Sequence, residues 1–149
     1  MTTPALPAPN PSPARTWLMT YLVAAVVFAV LDLAWLGLVA QRLYESQIGH
    51  LLANEFNLAA AAAFYLIYLV GLVHFAIRPL DAGRPLRRRL LDAALYGFVT
   101  YATWDLTSMA VFPDFPLTMV VVDLAWGVTA CVVVTAITTL SLKPIARTS

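Results

Sequence analysis

Four long apolar runs constrain this chain more than anything else in it. They extend from Trp17 to Ala40, Phe56 to Ile77, about Leu90 to Phe112 and about Leu117 to Leu142. Each holds at least the roughly 20 residues needed to cross a bilayer core. That core offers no water to backbone N–H and C=O groups, so the runs are expected to be helices that satisfy their own backbone. Composition agrees: 61% of the 149 residues are hydrophobic and 11% are charged. A soluble domain carries about 25% charged residues. The expected fold class is therefore all-α, an integral membrane four-helix bundle. A single domain over residues 15–149 follows a Pro-rich tail over residues 1–14. The tail has five of the ten prolines and no charged side chain, which reads as a disordered cytoplasmic segment. The first run is too long for a signal-peptide core and contains Asp32, so it is read as a spanning helix and not as a cleaved signal.

Lysine and arginine beside short loops set orientation. Arg15, Arg78, Arg84, Arg87, Arg88, Arg89, Lys143 and Arg147 fall on one side, and only Arg42 on the other. This bias places both termini and the arginine-rich loop in the cytoplasm, with Glu45, Glu55 and Asp114 facing outward. The Arg87-Arg88-Arg89 run reads better as this topology signal than as an anionic-lipid or nucleic-acid patch. The net charge of +1 gives no reason to expect a nucleic-acid partner. The segment from Gln41 to Glu55 alternates apolar and polar residues, as a short interfacial helix does. Pro79, Pro85, Pro113, Pro116 and Pro144 all fall at helix ends or in loops. No proline breaks a run in the way that often marks a transporter's binding site. Cys131, the only cysteine, lies in an apolar run and reads as a small packing residue.

Ionisable residues inside a spanning helix cost at least about 2.5 kcal/mol each on insertion scales. Three are present: Asp32, Asp105 and Asp123. Each is nine or ten residues from an outward-side charge, Arg42 or Asp114, or roughly 13 to 15 Å of helix. Equal depth, together with the short turn Pro113-Asp114-Phe115-Pro116, suggests that Asp105 and Asp123 face each other on antiparallel neighbours. Trp35 shares a helical face with Asp32, Trp126 with Asp123, and Tyr101 and Ser108 with Asp105. Either of those hydroxyls is a candidate hydrogen-bond donor to Asp105. Asp123, Gly127, Cys131, Thr135 and Thr139 recur every four residues, a spacing of small side chains that permits close helix approach. Thr100, Thr103 and Thr107 form a second polar stripe, read as hydroxyls bonding their own helix.

A short repeat connects these positions. Asp32-Leu33-Ala34-Trp35 matches Asp123-Leu124-Ala125-Trp126 at all four positions, and Asp105-Leu106-Thr107 is a partial third copy. Asn57-Leu58-Ala59 opens the second run in similar style. One reading is a duplicated two-helix hairpin, with Asp32 equivalent to Asp105 and Asn57 to Asp123.

These segments, together with Gly49-His50-Leu51-Leu52-Ala53, Phe64-Tyr65 and Tyr101-Ala102-Thr103-Trp104, carry a family resemblance. The chain resembles the bacterial membrane-protein family catalogued as domain of unknown function 2177 over nearly everything after the tail. The resemblance implies a multi-pass protein of the inner membrane. It supplies no mechanism and no catalytic residue.

The candidate proton- or cation-binding residues are thus Asp32, Asp105 and Asp123, supported by Trp35, Tyr101, Ser108, Trp126 and Asn57. Clustered carboxyls in low dielectric disfavour full ionisation and titrate as a set, so at least one is expected to hold a proton near pH 7. A bound cation would relieve the same repulsion, with help from the tryptophan faces. This suits a small proton- or cation-coupled carrier, and four unbroken helices with little room for a pore suggest a homo-oligomer. The alternatives are a structural or accessory protein with buried structural aspartates, and a membrane-embedded enzyme acting on a lipid. The balance leans away from an enzyme. There is no His/Cys metal cluster and no nucleophile motif, and His50 and His74 fall at different depths. No cofactor or metal is expected. The expected partners are the lipid bilayer and a small cation or lipid-like ligand.

Overall fold

A computed structural model describes residues 12–142. Most of the proline-rich tail lies outside them, as do Lys143, Pro144 and Arg147. Helix α1 (Pro13–Trp35) begins earlier than the tail boundary at residue 14 suggested, because Ser12 caps it. The Ser12 hydroxyl accepts from the Arg15 N–H, and Pro13 fits the first helical position, where its missing N–H is not needed. A π-helical segment, Leu36–Ala40, leads without a break into α2 (Gln41–Ile48) and a 3₁₀ turn, Gly49–Leu51. Helix α3 (Leu58–Gly71) also ends in a π segment, Leu72–Ile77. Helices α4 (Leu86–Val111) and α5 (Leu117–Leu142) complete the fold, and no strand occurs among the described residues.

Three of the helical stretches, Pro13–Leu51, Leu58–Ile77 and Leu117–Leu142, are long and apolar enough to cross a membrane. Helix α4 has the length, but Arg87, Arg88, Arg89, Asp92 and Asp105 lower its apolarity. It packs along α5 in the most extensive helix contact of the fold and completes the four-helix membrane bundle. Large apolar side chains such as Val26, Val30, Leu33, Ile67, Leu95 and Val121 point outward, as a lipid-facing surface requires.

The α4–α5 contact is a backbone approach. A Cβ on Gly97 would run into the Gly127 carbonyl, and one on Gly127 would run into the Tyr101 ring. Without a hydrophobic drive between helices in lipid, such small-residue contacts let dispersion forces and polar bonds act. The turn between the two helices is tight, with Asp114 at φ 57°, a left-handed conformation that Asp tolerates better than most residues.

The segment expected to form a short interfacial helix is helical. Helix α2 continues from α1 and lays Ile48 against Phe115, Met119 and Val120 at the start of α5. Part of its apolar face therefore packs on protein, while Leu51 and Leu52 stay exposed. The two π segments have no proline to announce them. At the second, the Tyr96 hydroxyl donates to the Tyr68 carbonyl at 2.9 Å, one turn before the helix widens.

The close approach makes a direct prediction. Gly97→Leu should destabilise the detergent-solubilised protein by at least about 1–3 kcal/mol, because overpacking here must push two backbones apart. Gly37→Ala, where nothing lies within 4 Å of the added Cβ, should stay within about 0.5 kcal/mol. Equal unfolding midpoints for the two variants would show that α4 and α5 do not touch at Gly97.

Candidate functional site

The three aspartates all turn away from the lipid. Asp105 is 0% exposed, Asp123 2% and Asp32 8%. Their environments differ. The Tyr44 hydroxyl reaches Asp123 from α2 and lies 2.9 and 3.0 Å from its two carboxylate oxygens. The Tyr65 hydroxyl on α3 donates to Asp32. Neither Oδ1 nor Oδ2 of Asp105 has a hydrogen-bond partner among the described residues. Asp105 and Asp123 lie on α4 and α5, which pack along each other and are joined by the tight turn at Asp114. The only ion pairs among the described residues, Arg78–Asp81 and Arg84–Asp92, belong to the arginine-rich end, so no cationic side chain neutralises this cluster.

The supporting residues divide. Trp35 and Trp126 stack face to face, with centroids 4.5 Å apart and planes 5° apart. The two copies of the Asp-Leu-Ala-Trp repeat therefore meet, on helices that run in opposite directions. Each tryptophan follows its aspartate by three positions, so the stack lies one helical turn from Asp32 and Asp123. Trp126 Nε1 is buried without a partner among the described residues. Tyr101 packs its ring over Gly127 of α5.

Other expectations need correction. Neither Tyr101 nor Ser108 hydrogen-bonds Asp105: Tyr101 leans across to α5, and Ser108 is buried without reaching the carboxyl. Asn57 is not beside the aspartates. It is exposed and caps α3, its side-chain oxygen accepting from the Ala60 N–H at 3.0 Å. The proposed hairpin equivalence of Asn57 with Asp123 thus has no counterpart in place or role. The threonine stripe of α4 bonds its own helix: Thr100 to the Tyr96 carbonyl at 2.8 Å, Thr103 to that of Val99 at 2.7 Å, and Thr107 to that of Trp104 at 3.0 Å. Cys131 is buried with its Sγ 2.9 Å from the Tyr68 hydroxyl. His50 and His74 are both exposed, one in the 3₁₀ turn and the other in the second π segment.

Sequence reasoning missed Tyr44 and Tyr65 as the donors. Tyr44 stood among the apolar residues of a supposed surface helix, and only the docking of α2 brings it to α5. Tyr65 shares a helical face with Tyr68 and Leu69, a signal that it points inward but not toward what. Among the described residues, no group of three His, Cys, Asp or Glu converges to hold a metal ion. The residues at hand form carboxyl–hydroxyl pairs around a carboxyl that has neither.

Fold and site together define an all-α polytopic membrane protein with carboxyl groups buried inside its helical bundle. The chain belongs to the family described as predicted membrane protein (DUF2177), which matches residues 17–140. No curated protein and no solved structure matches it.

The tyrosine pairings are testable. Tyr65→Phe should cost about 1–3 kcal/mol of stability, because it strands a buried carboxyl oxygen. Tyr21→Phe removes only an exposed bond of 3.3 Å to the Leu66 carbonyl and should cost less than about 0.5 kcal/mol. Chemical unfolding of both variants in detergent measures the difference, and a Tyr65→Phe protein as stable as Tyr21→Phe would remove Tyr65 from the site.

Proposed function

We propose that Asp32, Asp105 and Asp123 form a proton-binding site in a small proton-coupled membrane carrier. One observation carries this reading: Asp105 is fully buried, has no hydrogen-bond partner among the described residues, and lies on the helix that packs along the one carrying the buried Asp123. An uncompensated buried charge is among the most costly arrangements in a protein. A proton held between Asp105 and Asp123 relieves both the burial and the repulsion. A bound cation would relieve the same repulsion.

Access to the site follows from α2. Tyr44 covers Asp123, and the π segment Leu36–Ala40 joins α2 to α1. Single-turn π segments inside helices recur at functional sites. A shift of α2 would withdraw the Tyr44 hydroxyl and open Asp123 from that end of the bundle. Four helices leave little room for a pore, so the carrier is expected to work as a homo-oligomer in the inner membrane. A second reading, structural aspartates, draws on the pairing of Asp32 and Asp123 with one tyrosine each. It leaves Asp105 unexplained.

Orientation belongs to the same proposal. Eight basic residues against one support a topology with both termini in the cytoplasm. A reporter active only in the cytoplasm, fused after Ser149, should be active. A periplasm-only reporter that works at that fusion would invert the topology.

Infrared titration of the reconstituted protein tests the site. The wild type should show a protonated carboxyl C=O band at pH 7, and Asp123→Asn should change the titration of the remaining carboxyls. A wild type with all three ionised at pH 7 would refute the proton site. An Asp123→Asn protein in which Asp32 and Asp105 titrate unchanged would refute their coupling and favour separate structural roles.

A further inference from the structure

The arginine-rich end holds a second feature, independent of the aspartates. A cleft of about 300 Å³ opens between the π segment of α3 and the first half of α4. Phe75, Leu95 and Val99 give it apolar walls, and Arg78, Arg84 and Asp92 line its polar part. Asp92, Leu95, Tyr96 and Val99 follow one another at three- and four-residue spacing, so one face of α4 forms the floor. From Asp92 to Val99 that face runs roughly 10 Å along the helix, from charged to wholly apolar.

The loop that carries the two arginines is held from beneath. Arg89 is only 6% exposed, unusual for an arginine, and its guanidinium donates to three backbone carbonyls. It reaches that of Arg78 at 2.7 Å, that of Arg84 at 3.2 Å and that of Asp81. Arg78 adopts a left-handed conformation, φ 48°, where α3 ends. Arg89 thus fixes the backbone at both arginines of the cleft. Asp92 engages one edge of the Arg84 guanidinium, while Arg84 Nε has no partner among the described residues. The Arg78 side chain is about half exposed, with only a long contact to Asp81 at 3.9 Å. Each cleft arginine thus has one carboxylate beside it, Asp81 for Arg78 and Asp92 for Arg84, but Arg87, Arg88 and Arg89 leave this end of the bundle net positive, and the cleft leads into an apolar groove. Phe75, Leu95 and Val99 are all more than half exposed, on the surface that the bundle turns to lipid.

We propose that this cleft binds one anionic phospholipid, its phosphate between Arg78 and Arg84 and the start of an acyl chain along Phe75, Leu95 and Val99. Charge complementarity selects the headgroup, since arginine guanidinium groups match phosphate oxygens well. The apolar groove selects a lipid over a soluble phosphate, because free phosphate gains nothing from Phe75, Leu95 or Val99. Arg89 acts as a positioning residue and does not itself touch the lipid. The basic residues of this end thereby serve in recognition as well as in topology.

The test uses the full-length protein purified in detergent, with native mass spectrometry after addition of phosphatidylglycerol or phosphatidylcholine. Wild type should retain one phosphatidylglycerol per chain in clear preference to phosphatidylcholine. Arg78→Gln should weaken that retention about tenfold, as loss of a charge-assisted contact does. Val99→Trp, at an exposed lipid-facing position where the fold should tolerate it, fills the apolar end and should weaken retention to a similar extent. The double variant Arg87→Gln/Arg88→Gln, at exposed positions outside the cleft lining, should retain the lipid as wild type does. Equal retention of the two lipids would overturn the proposal. So would a loss in the Arg87/Arg88 variant as large as that in Arg78→Gln, which would point to a diffuse basic surface. Inorganic phosphate displacing phosphatidylglycerol at matched concentration would assign the site to a free anion. Retained helicity by circular dichroism qualifies each variant, and Arg78→Gln and Val99→Trp probe opposite ends of the cleft, so either one that folds decides the outcome.

Discussion

Helices α4 and α5 approach each other backbone to backbone at Gly97 and Gly127, and much of the structure depends on that contact. In lipid, apolar side chains gain little by leaving one apolar medium for another, so helices associate where their surfaces fit closely. Two glycines at the crossing supply the fit. The tight turn at Asp114 fixes the register, and the aspartates of α4 and α5 then fall at one level, buried in the bundle. Close packing leaves no room to hydrate them, so their burial follows from the contact that stabilises the pair.

The remaining polar groups settle by different routes. Threonines of α4 return their hydroxyls to the preceding turn, the usual arrangement for such residues inside helices. Asp32 and Asp123 each recruit a tyrosine from another element. Arg89 satisfies its donors on the carbonyls of the loop beside it. Asp105 follows none of these patterns, which is why the functional reading centres on it. The polar features at the two ends of the bundle are built differently: hydroxyls and carboxyls at one, guanidinium groups and backbone carbonyls at the other.

The candidate site was partly legible in the chain. An aspartate in an apolar run is costly enough to stand out, and counting residues to Asp114 put Asp105 and Asp123 at one depth; the same count misplaced Asp32, because the Trp35–Trp126 stack on opposed helices sets it about two helical turns from Asp123. The Asp-Leu-Ala-Trp repeat also stood out, but its meaning did not. A duplicated hairpin was the natural reading of copies spaced along the chain, yet the copies on α1 and α5 meet through stacked indoles while Asn57 caps a helix elsewhere. Tyr44 was hidden because its partner lies 79 positions away, beyond the reach of any helical periodicity. Tyr101 and Ser108 were chosen by face-sharing within α4, a rule that cannot account for a neighbouring helix pressing so close that the ring turns to it.

The sequence by itself determined the membrane-spanning class, the order of the spanning helices and the inward facing of the aspartates. Those depend on local composition, on prolines at the loops and on the free energy of placing charge in lipid, all of which act residue by residue. Tertiary structure alone decided which carboxyl receives a tyrosine and which receives none. It also decided that α2 packs on the start of α5 and that Arg89 pins the loop beside the arginine-lined cleft. Those outcomes require side chains from distant parts of the chain to arrive at the same few ångströms. Only the packing of whole helices against one another sets that coincidence.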